Sequence, residues 1–340
     1  NTINTNGNAI ANYGIYLPGT TTTLLRGNTI QHNNINTNGT SDNSGIRLST
    51  NVNATTINNN TITTQGRPGG NNYGMHLNTN IGNNTITSNT INTNGTATNY
   101  GIYLTSNTQN NTITGNTINT DGTSTDNYGI YLLGTTTSLN TGNILQHNTI
   151  RTNGTSNNTG IILNINVNAT TINNNTIKTQ GTTDNNHGIQ IMMNSQSNTI
   201  TGNTILANIP KSGTNNTGIL IQNDSNKNTV TNNNITTNGS LSYAISIENS
   251  NSTIFNHTLL YNPTEWILTD AYSSNNFSNT TFHTPNGSIN IYGNITIGNQ
   301  TPKGGINISQ KYVNITYNFS RINTTALGML NTSATITLQS

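Results

Sequence analysis

The chain has 340 residues, of which 29% are hydrophobic and only 5% charged, whereas an ordinary soluble domain carries roughly 25% charged residues. Ten Lys and Arg set against eight Asp and Glu leave a net charge of +2, scattered singly, which offers no basic stripe to a nucleic-acid backbone. No apolar run approaches the ~18 residues of a membrane span, and the absence of Cys excludes disulfides, thiolate metal sites and a Cys nucleophile.

Two uncharged hydrogen-bonding residue types dominate, with 75 Asn and 68 Thr. Such bias usually signals disorder, but disordered chains are charged and poor in β-branched residues, whereas Ile recurs throughout this one. An ordered chain is therefore expected. The first residues, Asn1-Thr2-Ile3, resemble neither a start Met nor a signal peptide, which reads as a mature or excised segment.

In chain order, one string recurs: Gly14-Ile15-Tyr16-Leu17, Gly45-Ile46-Arg47-Leu48, Gly74-Met75-His76-Leu77, Gly101-Ile102-Tyr103-Leu104 and Gly129-Ile130-Tyr131-Leu132. Gly160-Ile161-Ile162-Leu163, Gly188-Ile189-Gln190-Ile191, Gly218-Ile219-Leu220-Ile221 and Ala244-Ile245-Ser246-Ile247 continue it. Between copies lie two further short alternating strings, such as Asn84-Thr85-Ile86-Thr87 and Asn89-Thr90-Ile91. Each period thus contains three strands and no helical pattern. A coil of this kind cannot bury its inward face alone and must stack on its neighbours, which predicts an all-β parallel β-solenoid of about ten coils.

One Asn stands two residues before the third-strand Ile in eight consecutive coils, at Asn33, Asn60, Asn89, Asn116, Asn148, Asn175, Asn203 and Asn233. Asn tolerates left-handed backbone, and its amide can bond the Asn above and below, so an asparagine ladder is expected at this corner. His257 is expected to break it in the ninth coil and Thr280 in a degenerate tenth coil around Trp266-Ile267-Leu268.

A longer period also exists: residues 14–128 and 129–243 read as a duplication of four coils, with Asn51-Val52-Asn53-Ala54-Thr55-Thr56-Ile57 matching Asn166-Val167-Asn168-Ala169-Thr170-Thr171-Ile172. The expected organisation is a repeat region over 1–282 and a C-terminal β cap or assembly module over 283–340. In the latter, Ser288-Ile289-Asn290-Ile291, Asn294-Ile295-Thr296-Ile297, Val313-Asn314-Ile315-Thr316 and Ala334-Thr335-Ile336-Thr337-Leu338 alternate as longer strands.

The repeats resemble the right-handed parallel β-helix superfamily, which includes pectate lyases, polygalacturonases, tailspikes and many surface proteins. The ending Leu330-Asn331-Thr332-Ser333-Ala334-Thr335-Ile336 is similar to the segment closing β-helical modules of large archaeal surface proteins. That likeness implies one module of a longer cell-surface polypeptide. The lyase and hydrolase relatives imply clustered carboxylates for calcium or for general acid/base work.

Eight carboxylates leave little to cluster. Asp42, Asp126 and Asp184 fall in loops before the first strand and read as turn residues. Asp224, Glu248 and Asp270 follow the first strand in successive coils and form the one candidate calcium or catalytic group. No His spacing suits a metal, so His76 and His187 read as surface residues. The outward position of the first strand includes Tyr16, Tyr103 and Tyr131, preceded by Tyr13, Tyr73, Tyr100, Tyr128 and Tyr243. Rings on a flat face suit either stacking between coils or contact with a glycan or partner.

Asn-X-Ser/Thr sequons are enriched late: from residue 223 onward about 15 of 23 Asn lie in one, where chance gives about 6. The N-glycosylation candidates are Asn223, Asn234, Asn251, Asn256, Asn276, Asn279, Asn294, Asn299, Asn307, Asn314, Asn318, Asn323 and Asn331. The sequence therefore reads as a non-enzymatic extracellular structural glycoprotein, a rod or filament subunit of a cell surface, sheath or adhesive appendage. Its expected partners are copies of itself and surface glycans. Covalent N-glycans are expected and no cofactor, with calcium tied to the carboxylate group alone. The alternatives are a carbohydrate-active or glycan-binding β-helix, or a viral fibre.

Overall fold

The computed structural model describes residues 1–7, 11–40, 42–66, 70–123, 125–208, 213–251, 253–261, 265–270, 272–284 and 286–298, and strands Ile306–Ser309, Val313–Ile315, Ser320–Ile322 and Ala334–Leu338. Three long sheets run the length of the chain. The first, from Tyr13–Leu17 to Glu265–Thr269, consists of the Gly-Ile-X-Leu strings. The second runs from Thr29–Gln31 to Ser274–Ser278, and the third from Thr2–Gly7 to Thr280–Thr284. Within each sheet every strand pairs in parallel with the equivalent strand of the next coil, as Ile35 with Ile62 and Ile62 with Ile91. The chain is a parallel β-helix.

Alternation sets what faces inward. Ile35, Ile62, Ile91 and Ile118 of the third sheet are fully buried, as are Ile46, Ile102 and Leu104 of the first and Ile57, Ile86 and Ile113 of the second. One apolar column per position results, extending from coil to coil. Towards the C-terminal end the columns switch to rings: Phe255 stacks on Phe277 at 4.2 Å, and Trp266 meets Phe282 edge-on at 5.2 Å.

The repeated glycine has a steric cause. A Cβ on Gly129 would lie 2.2 Å from Ile150 Cγ2 and 2.5 Å from the carbonyl oxygen of Gly160, and Gly74 and Gly101 are confined in the same way. The strand register passes over these glycines, pairing Tyr100 with Tyr128 and Ile102 with Ile130. Consequently residues three apart, which strict alternation would place on opposite faces, touch on the outside of the first sheet.

After these parallel runs each sheet ends on antiparallel pairing. Glu265–Thr269 pairs with Ile306–Ser309, Ser274–Ser278 with Ile295–Gly298, and Thr280–Thr284 with Gly287–Ile291, which in turn pairs with Ala334–Leu338. Leu330 to Ser333, the start of the closing segment, lie outside the described residues.

Two local expectations need correcting. The register pairs Ile235 with Leu260, so Thr258, not His257, takes the ladder position in the ninth coil. The ladder Asn residues are also not the left-handed ones. The residue just before each of them has positive φ, as at Asn59, Ser88, His147 and Asn174, with glycine at Gly115 and Gly202. His257, at φ 48°, belongs to that series.

Candidate functional site

Side-chain amides build the corners of the rod. From Asn33 through Asn60, Asn89, Asn116, Asn148, Asn175 and Asn203 to Asn233, each Nδ2 donates to the Oδ1 of the next at 2.9–3.0 Å. Each Oδ1 also accepts the preceding ladder residue's backbone N–H, as Asn89 N to Asn116 Oδ1 at 2.9 Å. The second Nδ2 hydrogen reaches back to the main chain, as Asn116 to Ile86 O at 2.9 Å. The buried amide is thereby satisfied on both sides.

Two more columns exist that the sequence reading missed. At the corner before the first sheet, Asn12, Asn43, Asn72, Asn99, Asn127, Asn158, Asn186 and Asn216 link Nδ2 to Oδ1 at 2.7–3.1 Å. At the third corner, Asn84, Asn111 and Asn143 form one run and Asn198 with Asn228 another, with Thr170 between them. A signal for the first of these was present: an Asn two residues before the repeated Gly in eight coils. It was masked because Asn is so abundant on the exposed positions too.

The tyrosines stack on one another. Tyr73, Tyr100 and Tyr128 form one row and His76, Tyr103 and Tyr131 a second, with centroids 5.1–5.4 Å apart within the rows. Across the rows, Tyr100 lies 4.6 Å from Tyr103. Burial, followed by the neighbouring phenols, pushes the hydroxyls of Tyr100 and Tyr103 well above their ordinary value. Tyr131 Oη accepts from Asn164 Nδ2 at 2.7 Å. Tyr16 sits apart, exposed, beside Tyr13, whose hydroxyl accepts from Arg47 Nη1 at 2.8 Å.

His76 and His187 correct the surface reading, for both are buried. His76 lies between Tyr73 and Tyr103 with neither ring nitrogen bonded, and burial lowers its pKa to about 3, aided by the Arg47 charge. His187 Nδ1 accepts from Thr217 N at 3.2 Å, and burial lowers its pKa to about 4. For His76 the skipped glycine, Gly74, brings the ring against Tyr73, and His187 is held in place by the backbone N–H of the next coil.

Among the carboxylates, Asn249 joins two of the three candidates. Its Nδ2 donates to Asp224 Oδ1 at 3.2 Å and its backbone N to Asp270 Oδ2 at 2.6 Å. Asp270 Oδ1 accepts from Tyr272 N and Ser273 Oγ, so this carboxylate organises its own loop. Desolvation, then the charge of Asp270, raises the pKa of Glu248. Among the described residues no group of three acidic, His or Cys side chains could hold a metal ion. Asp126 and Asp184 bridge coils: Asp126 Oδ1 accepts from Asn157 Nδ2 at 3.0 Å and Asp184 Oδ1 from Thr214 N at 2.8 Å.

Of the sequon Asn, Asn223 and Asn294 are exposed, and Asn234, Asn251, Asn256, Asn276 and Asn279 are half-buried on outward positions. Asn307 and Asn314 lie in described strands. Asn299, Asn318, Asn323 and Asn331 lie outside the described residues.

The strand register and the amide columns together define a parallel β-helix with three corner ladders. No protein-family model matches the chain, and a search of curated proteins finds no match. Among solved structures it is similar to the periplasmic alginate epimerase AlgG, with 15% identity and a TM-score of 0.39 over 68% of this chain and 61% of that one. It is also similar to the A-module of the Azotobacter vinelandii mannuronan C-5 epimerase AlgE6 (15% identity, TM-score 0.29, 84% of this chain and 88% of that one). A third is the tailspike of E. coli bacteriophage HK620 in complex with a pentasaccharide (10% identity, TM-score 0.31, 78% and 65%). The chain spans less than two thirds of the AlgG structure, and the fold assignment rests on its own strand pairing.

Proposed function

We propose that the chain is a stiff rod segment of a non-enzymatic, extracellular structural glycoprotein, part of a cell surface, sheath or adhesive appendage. The observation that carries this reading is the continuity of the amide columns, eight Asn long at two corners. Each coil is tied to the next by backbone bonds along three sheets and by side-chain bonds at the corners between them. Bending or peeling such a rod breaks buried hydrogen bonds at several corners together, which is the property a mechanical element needs. Exposed sequons at Asn223 and Asn294 suit covalent N-glycans, and copies of the chain are the partners such a rod would take.

Electron microscopy of the native material tests this. Repeating filaments or arrays with branched density at Asn223 and Asn294 are expected. Isolated bare rods that cleave a polysaccharide in the presence of calcium would overturn the reading in favour of an enzyme.

A further inference from the structure

The outer face of the first sheet changes character after Tyr128. In the row that holds Tyr73, Tyr100 and Tyr128, the next coil supplies Thr159, and the two after it His187 and Thr217, before Tyr243 restores a ring. Where the rings stop, a groove of about 290 Å³ opens, with Tyr128 as a wall. That volume is just below the ~300–1,000 Å³ typical of small-ligand sites, enough for part of an oligosaccharide rather than a whole one.

Three amides edge the groove. Asn157, Asn185 and Asn215 occupy equivalent corner positions in consecutive coils, all with left-handed backbone, at φ 53°, 59° and 55°. Asn157 Nδ2 is engaged by Asp126, and Asn215 Nδ2 by Asn185 Oδ1. Asn185 Nδ2 has no partner among the described residues. His187, only 6% exposed, lines the same groove. Because its Nδ1 accepts a backbone N–H, its proton sits on Nε2, and this donor too has no partner among the described residues.

The combination has a chemical counterpart. A pyranose presents an apolar C–H face and a rim of hydroxyls, each able to donate and accept. An aromatic wall fits the face, and neutral donors and acceptors stepped at the ~4.8 Å spacing of coils fit the rim. Among the described residues no Asp, Glu, Lys or Arg lines the groove, so none of that lining pairs with a uronate or a sulfate.

We propose that this groove binds one residue of an uncharged polysaccharide chain, its ring against Tyr128 and its hydroxyls on Asn185 Nδ2 and His187 Nε2–H. The site is separate from the mechanical role of the amide columns and stands or falls without it.

The test is calorimetric titration and saturation-transfer NMR with cellohexaose, maltohexaose and mannohexaose, and with hexamannuronate as the charged comparison. At least one neutral hexaose binds, with saturation concentrated on one sugar face, and hexamannuronate does not. Asn185→Ala and Tyr128→Leu each weaken that binding by roughly tenfold, whereas Tyr16→Ala, at the far end of the face, leaves it unchanged. If Tyr128→Leu fails to fold, Asn185→Ala at the rim decides alone. Absence of binding by all three neutral probes at about 10 mM, preference for hexamannuronate, or an affinity that Asn185→Ala leaves intact overturns the proposal.

Discussion

Asn116 Nδ2 donates to Asn148 Oδ1 over 3.0 Å although the two residues are separated by a whole coil of chain. The same Nδ2 group donates to Ile86 O and Thr114 O, and Asn116 Oδ1 accepts from Asn89. Asn116→Ala therefore strands several buried groups and costs about 2–4 kcal/mol. Asn116→Asp costs more, because a carboxylate would face the Asn148, Ile86 and Thr114 oxygens with no proton to give. Urea unfolding of the two variants measures both; equal midpoints with the parent would mean that the column contributes nothing.

Gly129→Ala tests the close packing of the first sheet. Its Cβ would stand 2.2 Å from Ile150 Cγ2 and 2.5 Å from Gly160 O, and one of those contacts is backbone, which cannot swing away. A loss of about 1–3 kcal/mol is expected in the same unfolding assay. The chain itself places Ala244 at this position in the ninth coil, so Gly218→Ala, next to it, is the informative comparison.

Thr93 offers a gain. Its hydroxyl is buried with no partner, and it is stacked between Thr64 and Thr120, whose hydroxyls are in the same condition. Thr93→Val keeps the shape and removes the desolvated oxygen, so it should stabilise by about 1 kcal/mol. A destabilised valine variant would show that the hydroxyl is bonded in solution, for instance by an internal water.

The two buried histidines make stability depend on pH. Their folded pKa values, about 3 for His76 and about 4 for His187, lie below the ordinary 6.5. The unfolded chain therefore binds protons that the folded chain refuses. Their contribution is complete above about pH 6.5 and is lost as pH falls towards 4 for His187 and towards 3 for His76. Each histidine adds a slope of up to about 1.4 kcal/mol per pH unit in that window. Denaturant midpoints of the parent should drop between pH 7 and pH 5, and His187→Gln should flatten the profile in part, since burial also lowers the pKa of His283 and His76 retains its share.

The fold was legible because its signal is periodic: Gly-Ile-X-Leu returns once per coil, and parallel pairing puts each copy directly on the last. The ladder from Asn33 to Asn233 was legible for the same reason. The column at Asn99 and Asn127 has the same periodicity but stands among exposed Asn of equal frequency, and composition hides it. The place of His76 was not legible, since strict alternation puts it and Tyr73 on opposite faces; only the skipped register at the glycine brings the two rings to 4.7 Å. Asp224 and Asp270 are joined by Asn249, a residue that no acid-spacing argument would select.

The columns also have a sense of direction. In all three, Nδ2 belongs to the earlier coil and Oδ1 to the later one, as in Asn33 to Asn60, Asn72 to Asn99 and Asn84 to Asn111. Main-chain dipoles in a sheet largely cancel, but amides that all point the same way add along the axis, as peptide units do in a helix. The buried columns thus give a nearly uncharged rod two electrically unlike ends, and in a static field it should align lengthwise like a compass needle.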